Sequence, residues 1–163
     1  MEHNETETEL RAIAEKLALA LSEGGMQKTM ARVMTALLFT QQKTMTAGDL
    51  CEELQISSGA VSGAVKQLIL TNMIERVPAP GSRRDHYRFR ENAWATLLGN
   101  QNAVFTIMMA AASEGLKIAE LNSPAGHRLD EMQDFYSFMH RELTALIEAW
   151  RERYEESRMA RLS

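Results

Sequence analysis

The sequence predicts a mainly helical fold with one small β-ribbon, and three observations point to it. Two helix-start patterns, at Thr46 and Ser57, stand eleven residues apart in the middle of the chain, each with a capping side chain and an apolar staple. Directly after them, Tyr87 and Phe89 alternate with His86, Arg88 and Arg90, the period of two that marks a strand. On either side, apolar residues recur at helical spacing over long stretches.

Taken in order, Leu10, Ile13, Ala14, Leu17 and Leu21 give a first helix with one apolar face, stopped by Gly24-Gly25. A second helix spans Met26 to Thr40, with Met30, Val33, Met34, Leu37 and Leu38 inward, followed by a polar turn from Gln41 to Met45. Thr46 then caps a short helix, Ala47 to Gln55, with Asp49 at its third position and Met45 stapled onto Leu50. Ser57 caps the next helix, in which Ile56 staples onto Val61 and Val61, Val65, Leu68 and Ile69 turn inward until Thr71-Asn72. Ile74 to Ala79 and His86 to Arg90 form the ribbon, joined by a turn from Pro80 to Asp85 in which Gly81 supplies backbone freedom. A long helix from Asn92 to Leu121 bends near Gly99 and Gly115, and Asn122 to Gly126 reads as a turn. The last helix runs from Leu129 beyond Tyr154 and carries a face of large apolar side chains too extensive for a module this small to cover. No internal repeat or low-complexity segment interrupts this order.

The length of 163 residues fits one domain or a small module with appended helices, and an apolar fraction of 45% supports a packed core. The single cysteine, Cys51, excludes an intrachain disulfide and suits a reducing compartment. The start, Met1 to Glu9, is acidic and lacks a basic signal region, and Ala103 to Ala112 is too short to span a bilayer. A soluble, cytoplasmic protein without membrane contact is therefore expected. The net charge of −4 is unevenly spread. Lys66, Arg76, Arg83, Arg84, Arg88 and Arg90 face only Glu75, Asp85 and Glu91 in their segment, and phosphate binding depends on such a local field.

A helix pair followed by a ribbon is a way of laying one helix in a DNA major groove with a charged loop beside it. The helix capped by Ser57 has an outer face of Ser58, Gly59, Ala60, Ser62, Gly63 and Lys66. Small side chains permit close approach to base pairs, hydroxyls and the lysine reach base edges or phosphates, and the amide-rich start favours a phosphate. Arg83 and Arg84 at the ribbon tip suit a narrow minor groove.

These residues carry a resemblance. The segment TAGDLCEELQISSGAVSGAVKQLILTNMIERVPAPGSRRDHYRFR, followed by ENAW, resembles the winged helix-turn-helix of MarR-type bacterial regulators, most closely the GbsR-related branch. With the flanking helices the resemblance covers nearly the whole chain. It implies an N-terminal dimerisation helix (residues 1–25), a DNA-binding domain (26–91) and a C-terminal helical dimerisation region (92–163), with the first and last helices of two copies intertwined. It places Ser58, Gly59, Ala60, Ser62 and Lys66 at the major groove and Arg84 at the minor groove of a palindromic operator. Many relatives have an aspartate two residues before the wing arginine; Ser82 stands there in this chain, with Asp85 adjacent to Arg84.

The expected dimer contacts are Leu10, Ile13 and Leu17 at one end and Leu143, Leu146, Ile147, Trp150 and Tyr154 at the other. Methionine adapts to varied apolar ligands, and the resemblance implies a response to lipophilic molecules bound between the dimer helices and the DNA-binding lobe. Phe105, Met108, Met109, Met132, Phe135 and Met139 therefore form the expected pocket for a small apolar effector. Cys51, beside Glu52 and Glu53, reads as a small packed residue rather than a reactive thiol. His3, His86, His127 and His140 show no metal-ligand spacing, and no nucleophile constellation or phosphate-binding loop appears, so neither a metal, a cofactor nor an enzymatic activity is expected. The expected function is a homodimeric repressor released from double-stranded DNA by a lipophilic effector. The competing expectation is a winged-helix module that binds protein and not DNA.

Overall fold

Helix starts and stops follow the capping residues closely, and these set the architecture. In the computed structural model, which describes residues 2–162, helix α1 spans Glu2–Glu23 and ends on Gly24 and Gly25, the latter at φ +105°. It begins before the predicted apolar face, and Glu5 and Glu7 lie near its start, where negative charge suits the positive end of a helix. Gln27 accepts a hydrogen bond from the Met30 amide and opens α2, Lys28–Phe39. Strand β1, Met45–Thr46, leads directly into α3, Ala47–Leu54, and α4 spans Ser58–Leu70. Strands β2, Ile74–Val77, and β3, His86–Phe89, follow, and two helices close the chain: α5, Ala93–Leu116, and α6, Pro124–Leu162.

The chain packs as two compact units, Met1–Trp94 and Ala95–Ser163. In the first, α2 lies at the centre, packed against α1, α3, α4 and β3. Ala31, Val33, Met34 and Leu37 of α2 meet a core that includes Leu50, Val61, Leu68, Met45, Ile74 and Tyr87, all buried. Each fully buried Leu, Val or Ile stabilises the unit by about 1.5–3 kcal/mol. Both helix starts form as the sequence predicts. Thr46 Oγ1 accepts from the Asp49 amide at 3.1 Å while Asp49 Oδ2 accepts from the Thr46 amide at 2.7 Å, a complete capping box. Ser57 Oγ accepts from the Ala60 amide at 3.2 Å. Between α3 and α4 only Gln55, Ile56 and Ser57 intervene, with Gln55 in the left-handed region at φ 53°.

The sheet has three antiparallel strands in the order β1-β3-β2, one more than predicted. Met45 and Thr46, expected to end a polar turn and to start a helix, instead pair with Tyr87 and His86. Two residues are too few to show a period. β2 is shorter than predicted because Pro78 and Pro80 lack the N–H that a strand requires. Ala79 to Ser82 form a tight turn, closed by a 3.0 Å bond from the Ser82 amide to the Ala79 carbonyl, with Pro80 and Gly81 (φ +83°) at its centre, the signature of type II.

In the second unit α5 ends at Leu116 rather than Leu121, and α6 begins at Pro124 rather than Leu129. Pro124, expected in a turn, occupies the first helical position, where its missing N–H costs nothing. Ser123 Oγ caps the helix by accepting from the Gly126 amide at 3.0 Å. Gly126, also expected in the turn, lies in the first turn of α6 because the preceding chain passes so close that a Cβ would collide with the Glu120 carbonyl. Gly115 is also tight, but a Cβ there would meet only Leu129 Cδ1, at 2.6 Å, the end of a side chain that can rotate away. Gly126→Ala should therefore destabilise the protein by roughly 1–3 kcal/mol in urea unfolding, and Gly115→Ala clearly less. Equal costs at the two positions would contradict this packing.

Candidate nucleic-acid interface

The exposed surface of the first unit is decided by which side chains α4 and the wing cannot bury. Burial of Val61, Ala64, Val65 and Leu68 turns the opposite face of α4 outward, so that Ser58, Gly59, Ser62, Gly63 and Lys66 are exposed and Ala60 is half-buried. Ser57, the cap, is exposed at the same end. A Cβ at Gly59 or Gly63 would meet nothing, so neither glycine is required by packing within the chain. Gln67 and Leu70, which the sequence analysis did not select, extend this outer face. The helical period alone would have found them, since they lie one turn beyond Gly63 and Lys66.

Ser62, Lys66 and Leu70 share a groove of about 390 Å³ with Ala47, Arg76 and Tyr87. Arg76 therefore joins the α4 face, another residue not selected from sequence. Of the six basic side chains between Lys66 and Arg90, three are paired with other side chains of the fold, although Arg76 and Arg88 stay exposed. Arg88 Nε donates to Glu75 Oε1 at 2.7 Å across the sheet, Arg76 pairs with Asp85 at 3.5 Å, and Arg90 donates to Asn72 Oδ1 at 2.9 Å. The other three, Lys66, Arg83 and Arg84, are exposed and form no ion pair among the described residues. They lie on the outer face of α4 and at the wing tip.

Asp85, adjacent to Arg84 in sequence, is thus engaged with Arg76. Ser82, in the position where many relatives have aspartate, accepts from the Arg84 amide at 3.1 Å. The carboxyl of Asp49 is held below the usual aspartate range, first by its hydrogen bonds with Thr46 and further, against the opposing effect of burial, by the positive charge of Arg84.

Comparison with known proteins agrees with this geometry. A MarR-family model matches residues 23–85, and a model of MmpR5-like MarR family transcriptional regulators matches residues 92–153. Both models are of the MarR family, and they match adjoining parts of the chain. It is similar to the HTH-type transcriptional regulator MmpR5 of Mycobacterium tuberculosis, 23% identical over 151 residues that cover 92% of each chain. It is also similar to the HTH-type transcriptional repressor OpcR of Bacillus subtilis, 29% identical over 86 residues, 53% of this chain and 46% of that one. A crystal structure of a transcriptional regulator shares the fold with a TM-score of 0.75 at 23% identity, covering 88% of this chain and 99% of that one.

The matched models and relatives support a MarR-type DNA-binding regulator of transcription rather than an enzyme, and the fold is that of a winged helix. No helix among its described residues is long and apolar enough to cross a membrane, and no group of three potential ligands among them could hold a metal ion. Cys51 is half-buried on α3, where its carbonyl accepts from the Gln55 and Ile56 amides that close the helix.

The remaining sequence-selected residues fall on helix surfaces. Leu10 and Leu17 are half-buried on α1, and Ile13 is 52% exposed. On α6, Leu143, Ile147 and Trp150 are half-buried while Leu146 and Tyr154 are exposed, with Trp150 and Tyr154 stacked at 5.2 Å. Phe105 of α5 packs on Tyr136 of α6 at 5.5 Å between ring centres, and Phe135 meets the same ring edge-on. Met108, Met109, Met132 and Met139 are half-buried, and Phe135 is exposed.

The Asp49 carboxylate completes the cap of α3 only while ionised. Its lowered pKa means that this stabilisation is fully present above the ordinary aspartate value and is lost as pH falls through the lowered one. Thermal unfolding followed from pH 5 down to pH 2.5 should show the wild type losing more stability than Asp49→Asn, which lacks the titrating group. Parallel losses would show that the capping box contributes nothing to acid sensitivity.

Proposed function

We propose that the regulator is a homodimeric repressor that binds a palindromic operator through α4 and the wing and releases it when a small lipophilic molecule binds. The single observation that carries the DNA assignment is the placement of Lys66, Arg83 and Arg84. The three cations of this segment that form no ion pair among the described residues stand on the face and loop suited to a major groove and the adjacent minor groove. Ser57, Ser58, Gly59, Ala60, Ser62 and Gly63 would line the close approach to the bases. The sequence of the wing favours the GbsR-related branch, and DNA as target favours the cytoplasm.

Assembly follows from what the helices fail to bury. Among the described residues α6 buries only Gly126, although it spans 39 residues, a length of roughly 58 Å. Ile107, Phe138 and Leu146 are each more than half exposed, as Ile13 is on α1. A second copy that covers these faces accounts for them, and it would supply a second recognition helix for the other half of a palindrome. The domain boundaries at residues 25 and 91 then separate dimerisation helices from the DNA-reading part.

Phe105, Met108, Met109, Met132, Phe135 and Met139 would receive the effector. A polar group lies one turn away. Asn102 Nδ2 donates to Thr144 Oγ1 at 3.3 Å, which leaves Asn102 Oδ1 and His140 Nδ1 buried with no hydrogen-bond partner among the described residues. An effector with one polar end would meet both needs. Its binding would lower operator affinity by favouring a spacing of the two α4 helices that does not match successive grooves.

Binding to the DNA upstream of its own gene, measured across a salt titration, tests the DNA assignment. Arg84→Ala and Lys66→Ala should each weaken binding and reduce the slope of log K against log salt by about 1. Unchanged slopes for both variants would favour a winged-helix module that binds protein instead. Light scattering at micromolar concentration should give twice the mass of one chain; a single-chain mass would remove the dimer.

A further inference from the structure

A chain of hydrogen bonds crosses the wing from its base to its tip, through His86. The imidazole lies at the start of β3, with Nδ1 2.9 Å from Thr44 Oγ1 and Nε2 3.0 Å from Ser82 Oγ. Ser82 Oγ in turn accepts from the Arg84 amide at 3.1 Å, and the Ser82 amide closes the turn onto the Ala79 carbonyl at 3.0 Å. Thr44 belongs to the segment that enters β1 and α3, and Arg84 to the exposed tip. Forty-two residues of sequence separation are bridged by one ring.

The partners suit this role. Each hydroxyl both donates and accepts, so Thr44 and Ser82 accommodate either tautomer of the ring. Serine is short, and its bond to the Arg84 amide fixes the direction in which the backbone presents that residue. An arginine without an ion-pair partner on a loop otherwise samples many orientations, and ordering it only on binding lowers affinity.

We propose that His86 is a positioning residue for DNA binding, which holds Ser82 and thereby presents Arg84 from a wing tip already set against the body. The inference rests on the reading that Arg84 touches DNA. A double-mutant cycle on the full chain, with the DNA upstream of its own gene, tests it. His86→Ala should weaken binding about two- to tenfold, the effect expected for ordering one long side chain. In the Arg84→Ala background the same substitution should have no further effect, because a residue that acts through Arg84 has nothing left to position.

Since His86 also belongs to a strand, Ser82→Ala provides an independent break on the exposed side of the chain. It should reproduce both the loss and its dependence on Arg84, with the melting temperature unchanged, and Ser82→Thr, which keeps the hydroxyl, should recover most of the affinity. Equal losses in the presence and absence of Arg84, or no loss from either variant, would overturn the inference. If Arg84→Ala itself binds as the wild type, the assignment of the wing to DNA fails, and the inference fails with it.

Discussion

Met45 and Thr46 are the constraint on which the DNA-reading unit depends. As β1 they pair with Tyr87 and His86, and Thr46 is at the same time the N-cap of α3. One residue therefore belongs to both a sheet and a helix cap, so that the ribbon and the helix pair cannot move independently. Met45 and its partner Tyr87 are both buried, which anchors the junction in the core. Leu50, to which the sequence staples Met45, is fully buried as well. The orientation of the wing relative to α4 follows from this two-residue junction more than from the ribbon itself.

Much of this was legible from residues alone, for identifiable reasons. Thr46 with Asp49 and Ser57 with Ala60 are local patterns, complete within four residues, and local hydrogen bonding decides them. Tyr87 and Phe89 reveal β3 because alternation is a property of one strand. β1 was not legible, since its existence depends on a partner forty residues away and it is too short to alternate. The start of α6 was misread for a different reason. Proline and glycine usually mark a turn, but Pro124 fills a first helical position, and Gly126 answers a close approach by Glu120 that only the folded chain creates. Gln67, Leu70 and Arg76 were missed because their relevance lies in a shared groove or an extended face rather than in a motif.

The second unit differs in kind. α5 is apolar on nearly every side, with Leu98, Val104 and Ile107 exposed while Phe105 packs on Tyr136 and Ala112 is buried. A helix of this character belongs in an interior. Two helices cannot make an interior for each other over their whole lengths, which is the need that the proposed second copy would meet. This is a statement about area, and it holds whether or not an effector enters between the helices. The unpartnered Asn102 and His140 atoms sharpen it, because a buried polar atom without a partner costs about 1–3 kcal/mol. Such groups persist where a further component completes them.

The charge distribution finally depends on strand register. Along β2 and β3 the pairing sets Glu75 opposite Arg88 and Arg76 opposite Tyr87. A slip of one residue would place Arg76 opposite Arg88, two like charges across the ladder, and would turn Tyr87 out of the core. The register that buries Tyr87 therefore also neutralises Arg88, and Arg76 falls to Asp85 near the end of the ribbon. Within this segment Lys66, Arg83 and Arg84 remain without an ion pair among the described residues, on a chain whose net charge is −4. A uniformly basic ribbon would bind any polyanion. On the proposed reading, these cations on an otherwise acidic chain would attract DNA where α4 and the wing meet it together and disfavour contact elsewhere. The negative net charge would thus serve specificity, and the same register that builds the core decides which ribbon arginine is paired across the sheet.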